Sequence, residues 1–209
     1  MISDHMFQNL KNHKPSIIGL DSRKKSAVCI PIVQTQTGEY QILFEVRAQG
    51  MKHQPGDVCL PGGMLEPEET MREAAIRETC EELCMKPEQI KILGPMDILL
   101  TSTLTIYPFT AMLYGYNGSF SRAEVEETFL VPLSFFLEQE PDIYQIDLPV
   151  QLPENFPSER IAGGKNYQWR KRKEEICFYQ YKDHTIWGLT ASIIRSFVTL
   201  LKSKKESDL

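Results

Sequence analysis

The chain has 209 residues, of which 42% are apolar and 24% are charged. This composition is typical of a folded globular protein and excludes a disordered or fibrous chain, and the length suits one domain that buries its own core. The 28 acidic and 23 basic residues give a formal net charge of -5. This balance argues against a general nucleic-acid binder, because such proteins carry a basic excess.

The hydrophobic pattern predicts strands and helices that alternate along the chain. A short helix is expected at residues 6–14, before Pro15, and a hairpin of strands at residues 26–33 and 40–47 follows it. A short extended piece at residues 57–60 lies between two Pro-Gly turns. The remaining predictions are strands at residues 90–100, 105–116 with an interruption at Pro108, 127–131, 143–148 and 176–182, and helices at residues 70–84, 134–138 and 186–202.

This order of elements predicts an α/β fold with a mixed sheet and helices on its faces. No internal repeat or low-complexity linker divides the chain. We therefore expect a single domain over residues 1–209, with an N-terminal extension of about residues 1–24 and a C-terminal helix of about residues 186–202. The Pro- and Gly-rich stretch at residues 149–173 is expected to be a long loop.

A cytoplasmic location is predicted. The five cysteines form no Cys-x-x-Cys pair, which favours reduced and mostly buried thiols. The N-terminus lacks the basic and apolar regions of a signal peptide, and the C-terminus is not a peroxisomal Ser-Lys-Leu signal. No apolar run approaches the roughly 20 residues of a membrane span, so no membrane partner is expected.

The acidic surplus lies in one segment of the chain. Residues 66–82 contain seven acidic and two basic residues, so this segment alone carries the net charge of the whole chain. Thr70 and Glu73 form a sequence pattern for a capping box at the start of a helix. On that helix Glu78, Glu81 and Glu82 share one face, where their like charges repel one another.

A divalent cation would remove this repulsion, because Mg²⁺ prefers carboxylate oxygens, water and substrate phosphates as ligands. A solvated acidic face without a ligand is the alternative. The cation is favoured by the preceding Gly62-Gly63 turn, which lets the backbone approach a phosphate or metal closely. It is also favoured by Arg77, because an Arg between carboxylates, here Glu69 and Glu78, can orient them through bidentate bonds.

The spacing of these residues resembles the Nudix box, Gly-x5-Glu-x7-Arg-Glu-U-x-Glu-Glu-x-Gly-U, in which U is a bulky apolar residue. Thr79 stands at the first apolar position, and Cys84 replaces the second Gly. The matching positions are Gly63, Glu69, Arg77, Glu78, Glu81 and Glu82. The resemblance implies an α/β/α sandwich on a mixed sheet and the hydrolysis of a nucleoside diphosphate linked to another group.

The resemblance also implies roles for these residues. Glu78 and Glu82 are expected to bind Mg²⁺ or Mn²⁺, and Glu81 is expected to be a further ligand or to act through water. Glu69 and Arg77 are expected to orient the site. Clustered metal ions neutralise the charge that builds on the diphosphate and lower the pKa of the attacking water.

Segments that flank the Nudix box resemble coenzyme A pyrophosphatases. Residues 43–63 resemble the motif that precedes the box in that subfamily, with Gln54 where His is common and Leu60 in place of Phe. Residues 124–133 and 186–191 resemble later parts of the same subfamily. Coenzyme A or an acyl-coenzyme A is the implied substrate. Another nucleotide such as ADP-ribose, or a non-catalytic nucleotide sensor, is the alternative.

The remaining candidates concern substrate binding. Arg47 is a candidate phosphate contact, or else part of a strand-end salt bridge, and Gly62 and Gly63 are candidate substrate contacts. One of three later acidic residues could supply a carboxylate as a metal ligand or a base, or all three could belong to a solvated loop before a strand; they are Glu124, Glu126 and Glu127. The other candidates are Lys165 and the basic residues 170–173, as a phosphate site or a solvated turn, and Trp169 and Trp187, as adenine-stacking or core residues. A small-molecule nucleotide is the predicted partner, nucleic acid is not, and a homodimer is left open.

Overall fold

The computed structural model describes residues 13–203. The helix predicted at residues 6–14 lies outside this range except for its last two positions, which are not helical. Three α-helices occur in the described range: α1 Met71–Glu82, α2 Leu133–Glu138 and α3 Gly188–Lys202. The strands are β1 Lys24–Gln34, β2 Tyr40–Arg47, β3 Val58–Cys59, β4 Gly62–Met64, β5 Ile90–Pro95, β6 Leu99–Leu100, β7 Leu104–Leu113, β8 Val125–Pro132, β9 Asp142–Leu148, β10 Arg172–Tyr181 and β11 His184–Trp187.

The main sheet is built around the predicted β1–β2 hairpin. Its strand order is β3-β2-β1-β7-β5, and β4, β6 and β8 pair with β1, β7 and β2 respectively. The β1–β7 pair is parallel and extends from Lys24↔Leu104 to Val33↔Leu113, whereas the other pairs are antiparallel. The predicted mixed sheet is therefore confirmed.

The alternation of side chains along β1 distributes the core over both faces of this sheet. Ala27 and Cys29 pack on the side of α1, against Ala74, Ala75 and Leu83. Ile30 and Ile32 belong to the opposite core, which also contains Phe136 of α2 and Ile194 and Phe197 of α3. The sheet is thus covered by a helix layer on each side, and the predicted α/β/α sandwich is confirmed.

Proline 108 has a different effect from the one predicted. Strand β7 runs through Pro108 without a break, and the interruption falls in the neighbouring strand, which divides into β5 and β6. Pro108 has no backbone N–H to donate to that neighbour, although its carbonyl accepts a hydrogen bond from Met96 N. The prediction of one strand over residues 90–100 was therefore wrong.

A second sheet of three antiparallel strands, in the order β11-β10-β9, was not predicted as a sheet. The prediction that the last helix begins at residue 186 was wrong. Residues 186–187 belong to β11, where they pair with Tyr179 and Phe178. Gly188, with a φ of 62°, redirects the chain into α3. The loop at residues 149–173 contains two short 3-10 helices, and its last two residues already belong to β10.

Candidate active site

The start of α1 is fixed by the predicted capping box. Thr70 Oγ1 accepts a hydrogen bond from Glu73 N at 3.2 Å, and Glu73 Oε2 accepts one from Thr70 N at 2.9 Å. These two bonds satisfy amides that the first helical turn leaves without partners. Because the helix begins at a defined residue, the rotational positions of its later glutamates are defined as well.

Arg77 joins four acceptor groups at the centre of the site. Its Nε and Nη2 donate to the two carboxylate oxygens of Glu69, at 2.9 and 3.1 Å. Its Nη1 donates to Glu78 Oε1 at 2.9 Å and to Glu81 Oε2 at 3.2 Å, and Nη2 also donates to Met64 O at 3.1 Å. Arg77 therefore lies between Glu69 and Glu78 in the structure, and its orienting role stays a prediction. The Arg77 guanidinium holds the pKa of Glu69 below its ordinary value.

Glu82 is the buried member of the acidic helix face, with 5% of its surface exposed. Its Oε2 accepts a hydrogen bond from Gly62 N at 2.8 Å, which joins the end of α1 to β4. Burial, together with the charges of Glu78 and Glu124, raises the pKa of Glu82 to about 8 against the lowering effect of the hydrogen bond from the Gly62 amide. Burial also raises the pKa of Glu78, against the lowering effect of Arg77.

Gly62 and Gly63 permit a close approach between β4, β1 and the acidic helix. Gly62 and Gly63 lie opposite Val28 and Ala27 in the β4–β1 pair. A Cβ atom at Gly62 would overlap Ala27 O, and one at Gly63 would overlap the carboxylate of Glu78. Gly62 is therefore required by the packing of β4 on β1, and at Gly63 the Glu78 carboxylate lies directly against the backbone.

Arg47 ends β2 on the opposite side of the site. Its Nε donates to His53 O at 3.2 Å, and its positive charge lowers the pKa of Glu82, against the effect of burial. Arg47, Gly62 and Cys59 line a cavity of about 330 Å³. This cavity extends to Trp187 and to apolar residues of α3, among them Leu189.

The three acidic residues after β7, Glu124, Glu126 and Glu127, lie in different surroundings. Glu124 lies near enough to Glu78 and Glu82 to raise the pKa of both. Glu127 instead lies 3.3 Å from His184 Nε2, and Glu126 is exposed on β8. Only Glu124 of this predicted group therefore joins the site.

The basic cluster and the tryptophans lie away from the acidic helix face. Lys165 and residues 170–173 are all exposed, and none of them lines the cavity beside Arg47. Trp187 stacks on Phe178 with an interplanar angle of 10° and lines that cavity. Trp169 packs instead against Phe156 and Tyr167.

Glu45 belongs to the site although it was not among the predicted site residues. It lies on β2 and is 1% exposed, in carboxyl-to-carboxyl contact with Glu82. Burial raises the pKa of Glu45 well above its ordinary value, and the charge of Glu82 adds to this effect. A single acidic residue within the apolar run of β2 was the available signal, because acidic residues are seldom fully buried unless they are paired.

The donor atoms of this site fit a hard divalent cation. Carboxylate oxygens are the ligands that Mg²⁺ and Mn²⁺ prefer, and the buried Glu45 Oε1 has no hydrogen-bond partner. Within residues 13–203 no three His, Cys, Asp or Glu side chains already surround one point. In this arrangement Glu78 and Glu81 are bonded to Arg77, so they would turn from it to share an ion with Glu82.

A mixed sheet between two helix layers, with a carboxylate face on α1 beside a glycine turn, defines an α/β protein whose site is suited to a divalent cation and a phosphate group. A family model for the NUDIX domain matches residues 23–146. This match covers more than half of the chain, and the chain therefore belongs to the Nudix family, whose members hydrolyse nucleoside diphosphate derivatives. The predicted family is confirmed.

Curated relatives include two named coenzyme A diphosphatases. The chain is 31% identical over 126 residues to the peroxisomal coenzyme A diphosphatase NUDT7 of Mus musculus, covering 59% of this chain and 52% of that protein. It is 35% identical over 103 residues to the peroxisomal coenzyme A diphosphatase ndx-8 of Caenorhabditis elegans, covering 47% and 44%. The chain thus spans about half the length of these two relatives.

A longer match joins the chain to a bacterial relative. It is 28% identical over 177 residues to the uncharacterised Nudix hydrolase NudL of Photorhabdus laumondii, covering 83% of each protein. Among solved structures, the Nudix hydrolase RenU of M. smegmatis is 23% identical with a TM-score of 0.46, covering 53% of this chain and 71% of that one. None of the helices in residues 13–203 has the length and hydropathy of a membrane span.

Proposed function

We propose that this Nudix hydrolase cleaves the diphosphate bond of coenzyme A or an acyl-coenzyme A. The products would be 3',5'-ADP and 4'-phosphopantetheine or its acyl form. The observation that carries the chemistry is the acidic face of α1, where Glu82 is buried against Gly62 N and Glu78 lies on the Gly63 backbone. The observation that favours the substrate is the similarity to two proteins named coenzyme A diphosphatases.

Glu78, Glu82 and Glu81 are the proposed ligands of Mg²⁺ or Mn²⁺. When bound, such ions neutralise the charge that develops on the diphosphate and lower the pKa of the attacking water. Glu82 is held in place by the Gly62 amide. Glu78 and Glu81 are within reach of Arg77, which keeps both carboxylates on the same side of the helix before they bind an ion.

Glu69 and Arg77 are proposed as orienting residues. The Glu69 carboxylate binds Arg77 in a bidentate fork, which fixes the plane of the guanidinium. A fixed guanidinium in turn restricts the positions available to Glu78 and Glu81. Such supporting contacts around a metal site commonly contribute a factor of about 10 to 100 in metal affinity or activity.

Arg47, Gly62 and Gly63 are proposed substrate contacts. Arg47 and Gly62 line the same cavity, about 330 Å³ in volume, beside Glu82. A guanidinium can bind two phosphate oxygens at once, so Arg47 is suited to the diphosphate. The cavity continues to Trp187 and Leu189, which provides an apolar surface for the part of the substrate beyond the diphosphate.

A product assay tests this proposal. The purified chain is incubated with coenzyme A, an acyl-coenzyme A or ADP-ribose in the presence of Mg²⁺ or Mn²⁺, and the products are separated by chromatography. We expect the unchanged protein to release 3',5'-ADP from coenzyme A. We expect the Glu82→Gln variant to fold but to release no 3',5'-ADP. A kcat/KM for ADP-ribose much higher than that for coenzyme A would contradict coenzyme A as the substrate. Ligand-dependent melting shifts without product would instead support a non-catalytic sensor.

The remaining predictions about partners and location also belong to this proposal. The proposed partner is a small-molecule nucleotide of the coenzyme A type, with no nucleic-acid or membrane partner, and the homodimer stays open. The cytoplasmic location stays a prediction, since the two named relatives are described as peroxisomal. Imaging of the tagged full-length protein in its own cells would test it.

A further inference from the structure

Glu45 is a carboxylate in the interior of the protein. It lies on β2 between Phe44 and Val46, pairs with Cys59 of β3 and Thr128 of β8, and is 1% exposed. Side chains alternate along a strand. Phe44 belongs to the core on the side of α3, and Leu43 to the core on the side of α1. Glu45 therefore points to the same side as Leu43, toward α1.

The Glu45 carboxylate has little compensation within the described protein. Its Oε1 is fully buried and has no hydrogen-bond partner, and no salt bridge within residues 13–203 includes it. Arg47 lies nearby, but its Nε is bonded to His53 O. An ionised carboxylate buried in this way is strongly unfavourable unless a cation or hydrogen-bond donors offset the loss of hydration.

A second buried carboxylate lies beside Glu45. The carboxyl groups of Glu45 and Glu82 lie close together, and Glu124 lies near both. Glu82 Oε2 accepts a hydrogen bond from Gly62 N. Two acidic groups that meet below the protein surface, with an unpartnered oxygen on one of them, form a pair of oxygen donors for a hard cation.

We propose that Glu45 is a further ligand of the divalent cation, which it binds together with Glu82 between β2 and α1. Nudix-box residues alone would then form only the helical half of the centre, and β2 would supply the other half. This inference rests on the proposed metal centre, and it does not depend on coenzyme A being the substrate. The ligand class is a hard divalent cation, with Mn²⁺ as the practical probe.

A Mn²⁺ titration of the full chain without any nucleotide tests the proposal. Free Mn²⁺ is measured by electron paramagnetic resonance for the unchanged protein and for Glu45→Gln, Glu82→Gln and Glu39→Gln. Glu39 is an exposed acid in the turn between β1 and β2, so its replacement controls for the loss of one charge. We expect Glu45→Gln to weaken Mn²⁺ binding at least about tenfold and Glu39→Gln to leave it unchanged.

Two further measurements separate the possible outcomes. Thermal unfolding in a chelator checks that Glu45→Gln remains folded, and Glu45→Met, of similar length and without a hard ligand, gives a second variant for the same titration. Unchanged Mn²⁺ affinity in Glu45→Gln would overturn the proposal and leave a buried carboxyl pair of Glu45 and Glu82. Unchanged affinity in Glu82→Gln would overturn the metal centre itself, and Glu45 with it. Neither result depends on which nucleotide is cleaved.

Discussion

Arg77 binds both carboxylate oxygens of Glu69 across eight residues of sequence, with Nε–Oε1 and Nη2–Oε2 distances of 2.9 and 3.1 Å. This fork connects the loop before α1 to the acidic face of the helix. The planar guanidinium also reaches Glu78 and Glu81. One side chain therefore contacts three carboxylates, and it can do so because the guanidinium is a planar fork with several donors.

Replacing Arg77 with Lys should lower activity while the protein stays folded. Lys has a single ammonium group and cannot form the bidentate bond with Glu69 and reach Glu78 at the same time. We expect kcat/KM for the diphosphate substrate to fall about 10- to 100-fold, and Mn²⁺ binding to weaken. Arg72→Lys, at an exposed position of the same helix, is the matched control. Equal activity of the two variants would contradict the orienting role.

Adding a methyl group at Gly62 or Gly63 should have different consequences. At Gly63 the new Cβ overlaps the Glu78 carboxylate, which can move because it ends a flexible side chain. We expect Gly63→Ala to remain folded and to lose metal binding and activity. At Gly62 the new Cβ overlaps the Ala27 and Val28 backbone, and we expect a loss of about 1–3 kcal/mol in stability.

Chemical denaturation and Mn²⁺ titration of the two glycine variants check this contrast. The unfolding free energy should fall mainly in Gly62→Ala, and the Mn²⁺ affinity should fall in Gly63→Ala at nearly native stability. If Gly63→Ala binds Mn²⁺ as tightly as the unchanged protein, the position of Glu78 against Gly63 has no part in metal binding.

The sequence predicted the parts of this protein that depend on local spacing. The capping box at Thr70 and Glu73 and the shared face of the α1 glutamates follow from helix geometry, and the structure contains both. The division of the strand predicted at residues 90–100 into β5 and β6, beside Pro108 of β7, was not predictable in this way. It depends on which neighbouring strand needs the missing N–H of Pro108, and that is a property of the sheet.

Glu45 was not predicted as a site residue for a similar reason. Its importance comes from contact with Glu82, 37 positions later, and no local pattern records that contact. The second sheet was missed because its strands β9 and β10 are separated by more than 20 residues of loop. Its last strand, β11, runs directly into α3, so the residues before Gly188 read as helix.

Cys84 occupies the position where the Nudix box has its second Gly, and it adopts the conformation that favours glycine. Its φ is 51°, and Met85 N donates to Cys80 O at 3.0 Å across it, as in a Schellman motif at a helix end. A non-glycine residue in this left-handed region costs on the order of 1 kcal/mol. The turn geometry of the family is thus retained, with strain at an exposed cysteine.

Cys84→Gly should therefore stabilise the protein. We expect about 1 kcal/mol in the free energy of unfolding, which corresponds to a rise of roughly 2–4 °C in Tm for a chain of this size. Cys84→Ala, which removes the thiol and keeps the strained backbone, is the matched control and should gain little. Equal Tm values for the Gly and Ala variants would show that Cys84 is not strained.

The stability of the metal-free protein should decrease as the pH rises from about 5 to about 8. The folded-state pKa of Glu82 is raised to about 8 from an ordinary value of 4.5, so between these values the folded state holds a proton that the unfolded state has released. Stability is then fully present below the unfolded pKa and is lost as the pH rises through the folded pKa. The loss should amount to a few kcal/mol, on the order expected for a buried carboxyl group.

Urea denaturation in a chelator at several pH values measures this dependence. Glu82→Gln should reduce the slope because the amide does not titrate, while Glu39→Gln should keep it; the slope that remains in Glu82→Gln is expected from the buried Glu45. Saturating Mn²⁺ should oppose the loss at high pH, because the cation binds the ionised carboxylates of the folded state and stabilises it by mass action. If the chelated protein gains stability between pH 5 and 8, Glu82 is ionised in the folded state throughout that range, and its burial does not control its charge.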